Sequence, residues 1–280
     1  MICIFNRTRA SRAARVALRT ALLPLLFATA PVIAQERPLP LRALEKKGIT
    51  VVGAFPSPGG LAAWAAYMGG RPIALYVTPD GKHVIAGTML DAEGNDTNRV
   101  ALEKVVHKPM ADGVWSRLEA SHWIADGQDK APRTVYVFTD PNCPYCNKLW
   151  ADARPWVDSG KVQLRHVMVG ILTPTSAGKA AALLAEKNPA VALAAYERAH
   201  VAGNAKTLAS GRPKPLDDSG LKPLASIPPA VQTQLNANEK LMVSLGLEAT
   251  PAVVWHDAKG VVQMLQGVPD TALSEVFGPR

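Results

Sequence analysis

The chain has 280 residues, 48% of them hydrophobic, a formal net charge of +8 and three cysteines. That is long enough for one ordinary domain with a smaller partner. Five arginines and no acid lie in residues 1–34, so the remainder carries only +3, and no nucleic-acid footprint is left in it.

The first segment reads as a signal for export. Arg7, Arg9, Arg12, Arg15 and Arg19 form a positive region, Ala21 to Ala34 is apolar, and Val32-Ile33-Ala34 supplies small residues before Gln35. The apolar run is short for a membrane span, which needs about 20 residues. A cleaved signal peptide over residues 1–34 is therefore predicted, with an uncleaved anchor as the alternative. Cys3 leaves with it, so Cys143 and Cys146 remain alone in an exported chain that should be soluble in an oxidising compartment.

Residues 35–95 read as a mixed α+β unit. Leu41 and Leu44 among charges predict a short helix ended by Gly48. Ile49 to Phe55 predicts a strand broken at Pro56-Ser57-Pro58-Gly59-Gly60. Leu61 to Met68 fits a strand or a short helix. Ile73–Val77 and His83–Gly87 flank Thr78-Pro79-Asp80-Gly81-Lys82, a hairpin turn in which Pro sets φ and Gly takes positive φ. So small a unit is marginal at burying its own core, and pairing with a second copy would relieve that.

Residues 96–128 read as a helical linker. Val100, Leu102, Val105, Val106, Val114, Trp115, Leu118 and Trp123 match helical spacing, with an interruption at Pro109 and a close at Asp126-Gly127.

Residues 129–280 carry the chemistry. Val135 to Phe138 predicts a strand, Thr139-Asp140-Pro141-Asn142 a turn, and Cys143-Pro144-Tyr145-Cys146 the start of a helix. Residues three apart on a helix share a face, so two sulfurs at this spacing can close a small disulfide ring. At the helix N-terminus the unpaired N–H groups and the macrodipole favour a thiolate, which makes Cys143 the candidate nucleophile. Cys146, one turn deeper, is expected to be more shielded and to act as resolving thiol. Pro144 suits the first turn, where its missing N–H costs little. A zinc site would need about four ligands, and there is no second C-x-x-C and no spaced His pair. Haem attachment would need His where Asn147 stands. A purely structural disulfide remains open, though closing so short a ring gains only about 2 kcal/mol.

Behind the motif the helix should bend at Pro155, and Val162 to Val169 predicts a strand parallel to the first. Residues from about 173 to 245 form an alanine-rich helical insertion with proline-rich breaks from Pro213 to Pro229. Pro251–Trp255 and Val261–Gln266 predict an antiparallel hairpin, and Asp270 is expected to cap a last helix ending at Phe277. Pro251, starting the first of these strands, donates no ladder bond and leaves the Thr250 main chain for an extended substrate. The six histidines are scattered and read as exposed or satisfied.

Strand, motif helix, strand, helical insertion, hairpin and terminal helix is a thioredoxin-like order. Leu44-Glu45-Lys46-Lys47-Gly48-Ile49, Ser121-His122-Trp123, Cys143-Pro144-Tyr145-Cys146, Arg154-Pro155-Trp156-Val157-Asp158-Ser159-Gly160, Asn238-Glu239-Lys240-Leu241-Met242 and Thr250-Pro251-Ala252 carry a resemblance to the DsbC/DsbG family of periplasmic thiol:disulfide interchange proteins. The Pro-Tyr dipeptide and the lack of a further cysteine pair favour its DsbG branch. The resemblance implies a V-shaped homodimer with an N-terminal cystatin-like dimerisation domain, a linker helix and a C-terminal thioredoxin-like domain. It also implies no cofactor, isomerase or reductase action through a redox-active Cys143–Cys146 disulfide, reduction of cysteine sulfenic acids on exported proteins, and chaperone-like binding. Thr250-Pro251 would be a substrate-binding cis-proline loop, and the membrane reductase DsbD would keep the pair reduced. The same site would also serve a net oxidase, and a dimeric holdase with incidental thiols is the rival of a different class.

Overall fold

The computed structural model describes residues 37–280; the predicted signal peptide, residues 1–34, lies outside the described residues. Two sheets follow one another along the chain, in the strand orders β1-β2-β3-β4 and β5-β7-β6-β8-β9.

The first sheet is antiparallel throughout: β1 (Thr50–Phe55), β2 (Ala62–Met68), β3 (Arg71–Val77) and β4 (Val84–Ala86). The segment left open between helix and strand, Leu61 to Met68, is thus a strand. Alternation sets its two faces. Val51, Trp64, Ala66, Leu75 and Val77 pack on Leu41 of α1 (Leu39–Glu45), whereas Phe55, Ala63, Ala65, Ala74 and Tyr76 pack on Val106 of α2 (Arg99–Glu119).

Two expectations for the linker are corrected. Helix α2 runs unbroken through Pro109 for 21 residues. Proline there removes one backbone hydrogen bond, but the helix is clamped on both sides of it. Val106 is buried against the first sheet, Val114 and Leu118 are buried against the second, and the Tyr67 hydroxyl donates to the Pro109 carbonyl at 3.2 Å. Trp123 and Ile124 do not continue the helix. They belong to β5 (Trp123–Asp126), the edge strand that pairs antiparallel with β7 (Val162–Met168). In so short a run helical and extended spacing look alike.

The second sheet has β6 (Arg133–Thr139) parallel to β7 and antiparallel to β8 (Ala252–His256), which pairs in turn with β9 (Val262–Gln266). One face packs on α3 (Pro144–Asp152), α4 (Arg154–Val157) and α8 (Leu273–Phe277), through Val135, Val137, Leu149, Trp156, Val253 and Phe277. The other face, with Tyr136, Phe138, Val167 and Val254, meets the second half of α2 and Leu241 and Met242 of α7 (Pro229–Ser244). Helices α5 (Ser176–Ala185), α6 (Pro189–Ala209) and α7 make up the insertion.

Asp270 does not cap the last helix through its side chain. Its carboxylate instead takes Lys148 Nζ of α3 at 2.5 Å, and Lys148 also reaches Asp152 at 2.5 Å. Asp270 stands inside a 3-10 turn, two residues ahead of Ala272, the N-cap of α8.

Candidate active site

Strand β6 ends at Thr139 and the chain turns at once into α3, so the four turn residues carry the site. Asp140, fully buried, accepts four hydrogen bonds. The Asn142 N–H and Ser176 Oγ donate to Oδ1, each at 2.8 Å, and the Ile171 and Leu172 N–H groups donate to Oδ2 at 2.8 and 2.9 Å. The Asn142 amide donates to Thr173 and Thr175 at 2.6 and 2.7 Å. From the insertion, Tyr196 Oη donates to the Pro141 carbonyl at 2.7 Å and the Leu216 N–H to the Asn142 carbonyl at 3.0 Å. The backbone before Cys143 is thus held from both sides.

Cys143 is the N-cap of α3, with extended backbone (φ −79°, ψ 114°), and its Sγ accepts the Cys146 N–H at 3.3 Å. This is the sulfur analogue of an oxygen cap, and it satisfies one of the free donors of the first turn. Both cysteines are free thiols. Cys143 is pushed down to about 7, first by the hydrogen bond from the Cys146 thiol, against the opposing effect of burial, and further by Thr250 and by the Cys146 and Tyr145 N–H groups. Cys146 is pushed up, chiefly by burial and then by its bond to Cys143. Each residue is 3% exposed as a whole, but the Cys146 sulfur lies deeper than that of Cys143, as expected. What separates the two thiols is hydrogen bonding and depth of the sulfur, which favour charge on Cys143.

Opposite the thiols, the Thr250–Pro251 peptide bond is cis, and Cys143 Sγ donates to the Thr250 carbonyl at 3.4 Å. Strand pairing explains the meeting, because β8 lies beside β6 with Phe138 opposite Ala252. Pro144 is buried in the first turn, and Tyr145 is 51% exposed beside the thiols. The six residues singled out in the sequence, Cys143, Pro144, Tyr145, Cys146, Thr250 and Pro251, are therefore brought to one end of the second sheet. Asp140, Asn142 and Tyr196 were not singled out. The first two stand in the turn before the motif, where Asp and Asn signal side-chain bonds to backbone; Tyr196 carries no local signal. Among the described residues no three His, Cys, Asp or Glu side chains converge as metal ligands would.

The comparisons with known proteins agree with this geometry. Residues 124–275 match the family model described as a thioredoxin-like domain. The chain is similar to the thiol:disulfide interchange protein DsbG of Pseudomonas aeruginosa, 48% identical over 92% of this chain and 95% of that protein. It is also similar to DsbG of Escherichia coli, 40% identical over 88% of this chain and 94% of that protein. The similarity to the thiol:disulfide interchange protein DsbC of Salmonella typhimurium, 33% identical, spans only 29% of this chain and 32% of that protein. With a thiol pair at the head of a helix in a thioredoxin-like domain, and relatives of this identity along nearly the whole length, the chain belongs to the DsbG family of thiol:disulfide interchange proteins and is an oxidoreductase.

Proposed function

We propose that the protein acts in the periplasm as a homodimer on exported proteins, reducing their cysteine sulfenic acids and reducing or rearranging incorrect disulfides. The observation that carries this reading is the Cys143 thiol pushed down to about 7 at the head of α3, beside a deeper Cys146 pushed the other way. A thiolate populated near neutrality is what attack on sulfur requires.

Cys143 thiolate attacks one sulfur of a substrate disulfide and expels the other as a thiolate, leaving a mixed disulfide. With a sulfenic acid it attacks the electrophilic sulfur and expels hydroxide, which leaves as water after taking a proton, and the same mixed species forms. Cys146, once deprotonated, attacks the Cys143 sulfur, releases the substrate thiolate and closes the Cys143–Cys146 disulfide. Two electrons from a membrane reductase of DsbD type return the pair to dithiol. In isomerisation a substrate thiol displaces Cys143 instead, with no net electron transfer. The Thr250-Pro251 loop would hold the substrate backbone beside Cys143.

The first sheet, with α1 against one face, would serve as a cystatin-like dimerisation module, and the space between two protomers would give the chaperone-like binding surface. Support comes from the size of the module and from its exposed Leu39, Met68, Ile85 and Leu90. The test uses a sulfenylated peptide. The Cys146→Ala variant should accumulate the peptide as a mixed disulfide on Cys143, and full reductase activity in the Cys143→Ser variant would overturn the reading.

A further inference from the structure

Helix α6 of the insertion packs along the active-site helix α3. Three side chains at that contact form one buried polar chain, and no step of the exchange reaction uses them. Asn204 Nδ2 donates to the Pro144 carbonyl oxygen at 2.7 Å and to Asn147 Oδ1 at 3.0 Å. Asn147 Nδ2 donates to the Glu197 carbonyl at 2.8 Å and to Glu197 Oε2 at 2.7 Å. Asn147 and Glu197 are each 1% exposed and Asn204 is 5% exposed. Both amide groups spend their two N–H donors on oxygen, so turning either over would set oxygen against oxygen. Burial pushes the Glu197 carboxyl up, against the bond from Asn147, which favours its charged form.

Pro144 C=O and Tyr145 N–H are the two ends of one peptide group. A donor bound to the oxygen polarises the group and makes its N–H a stronger donor. That N–H is among the groups that favour charge on Cys143.

We propose that Asn204 is a positioning residue of the thiol pair: its amide holds and polarises the first peptide group of α3 toward the Cys143 sulfur, and Asn147 and Glu197 fix that amide in place. The insertion thereby tunes the redox site as well as roofing it. This inference rests on Cys143 being the attacking thiol.

The test follows thiolate absorbance and alkylation rate against pH in the reduced, full-length protein and in its Asn204→Leu and Asn204→Asp variants. Leucine keeps the bulk without a donor, and aspartate keeps the shape but turns an acceptor toward the Pro144 oxygen. The Cys143 midpoint should rise by about half a pH unit in Asn204→Leu, and further in Asn204→Asp. Losing thiolate stabilisation disfavours the dithiol, so at a fixed glutathione ratio, and at a pH well above both midpoints, the disulfide-to-dithiol ratio should rise about threefold in Asn204→Leu. A wild-type midpoint in both variants would overturn the inference, even if both are less stable. Should either fail to fold, wild-type NMR decides. The Asn204 side-chain amide protons must shift as Cys143 titrates, and protons that stay still overturn the proposal. If the low-pH titration survives in Cys143→Ser and is lost in Cys146→Ser, the assignment of the nucleophile fails and takes this inference with it.

Discussion

Gly69 meets Ser244 with no room for a side chain between them: a Cβ on Gly69 would stand 1.8 Å from the Ser244 carbonyl oxygen. Gly69 also has φ +61°, a conformation that L residues with a side chain rarely adopt. The turn joining β2 to β3 therefore docks against the end of α7. Around it, Gly70 lies beside Met264, Arg71 reaches over Gly246, and the Arg117 guanidinium donates to the Ser244 hydroxyl. Ser244 opens the short segment that leads to Thr250 and Pro251.

A Gly69→Ala substitution must push this turn off α7. We expect a loss of about 2 kcal/mol in denaturant stability from the left-handed backbone and the clash together. Small-angle scattering should show the first sheet further from the second. An unchanged scattering profile with wild-type stability would contradict the contact.

The reactivity of Cys143 should follow its titration. With the thiol pushed down to about 7, alkylation of the reduced protein should be half-maximal near that pH and level off about one unit above it. An ordinary thiol would still be gaining rate there. Alkylation attributed to Cys146 should be negligible over the same range, because that thiol is pushed up by burial. Mass mapping of the alkylated cysteine at each pH checks both statements.

Replacing Asp140 by alanine would strip the acceptor from the N–H groups of Asn142, Ile171 and Leu172 and from the Ser176 hydroxyl. The bonds from Asn142 and Ser176 are buried and the other two part-buried, and a buried donor left unpaired costs roughly 1–3 kcal/mol. Allowing for water entry, we expect a loss of at least about 3 kcal/mol in chemical denaturation and a Cys143 alkylation midpoint displaced from that of the wild type. Asp140→Asn, which keeps acceptor capacity on one oxygen, should lose less.

Arg154 pairs with Asp126 through two donors, one of them at 3.0 Å. The Asp126 carboxyl is opposed by burial, but the His166 ring, whose Nε2 lies 3.5 Å away, and the Arg154 guanidinium outweigh it and hold the group well below the usual carboxylate range. A depressed folded-state value stabilises the fold above the unfolded-state pKa, near 4, and that stabilisation fades as pH falls through the folded-state value. Arg154→Met should therefore cost about 3 kcal/mol at neutral pH. The gap to wild type should be largest at neutral pH and narrow as acid protonates Asp126 in the variant, where the Arg154 bonds no longer hold the carboxyl down against burial, as read from urea midpoints across the acid range.

Much of this architecture could be read along the chain, and the reasons it could are local. The Thr78–Lys82 turn, the Cys143–Cys146 spacing and Pro251 at the head of a strand each follow from chemistry within a few residues. Pro109 and Trp123 went the other way because distant partners overrode local preference. Proline is tolerated where cores on both sides clamp the helix, and Trp123 finds a strand partner in β7. Asp270 stands too early to cap α8, inside a 3-10 turn. Asn147, Glu197 and Asn204 had no legible role, since a buried amide has no periodicity and its partner can stand sixty residues off, as Pro144 does from Asn204.

The turn ahead of Cys143 is moored by groups on the loop after β7, on α5, on α6 and on the stretch after α6: Ile171, Leu172, Ser176, Tyr196 and Leu216. Grafting Cys-Pro-Tyr-Cys onto another strand–helix junction would carry over two sulfurs and their spacing while leaving those moorings behind. A transplanted motif could still close its ring. The backbone ahead of its first thiol would lose the bonds that hold it in place, so an engineer borrowing this geometry would need to borrow the insertion as well.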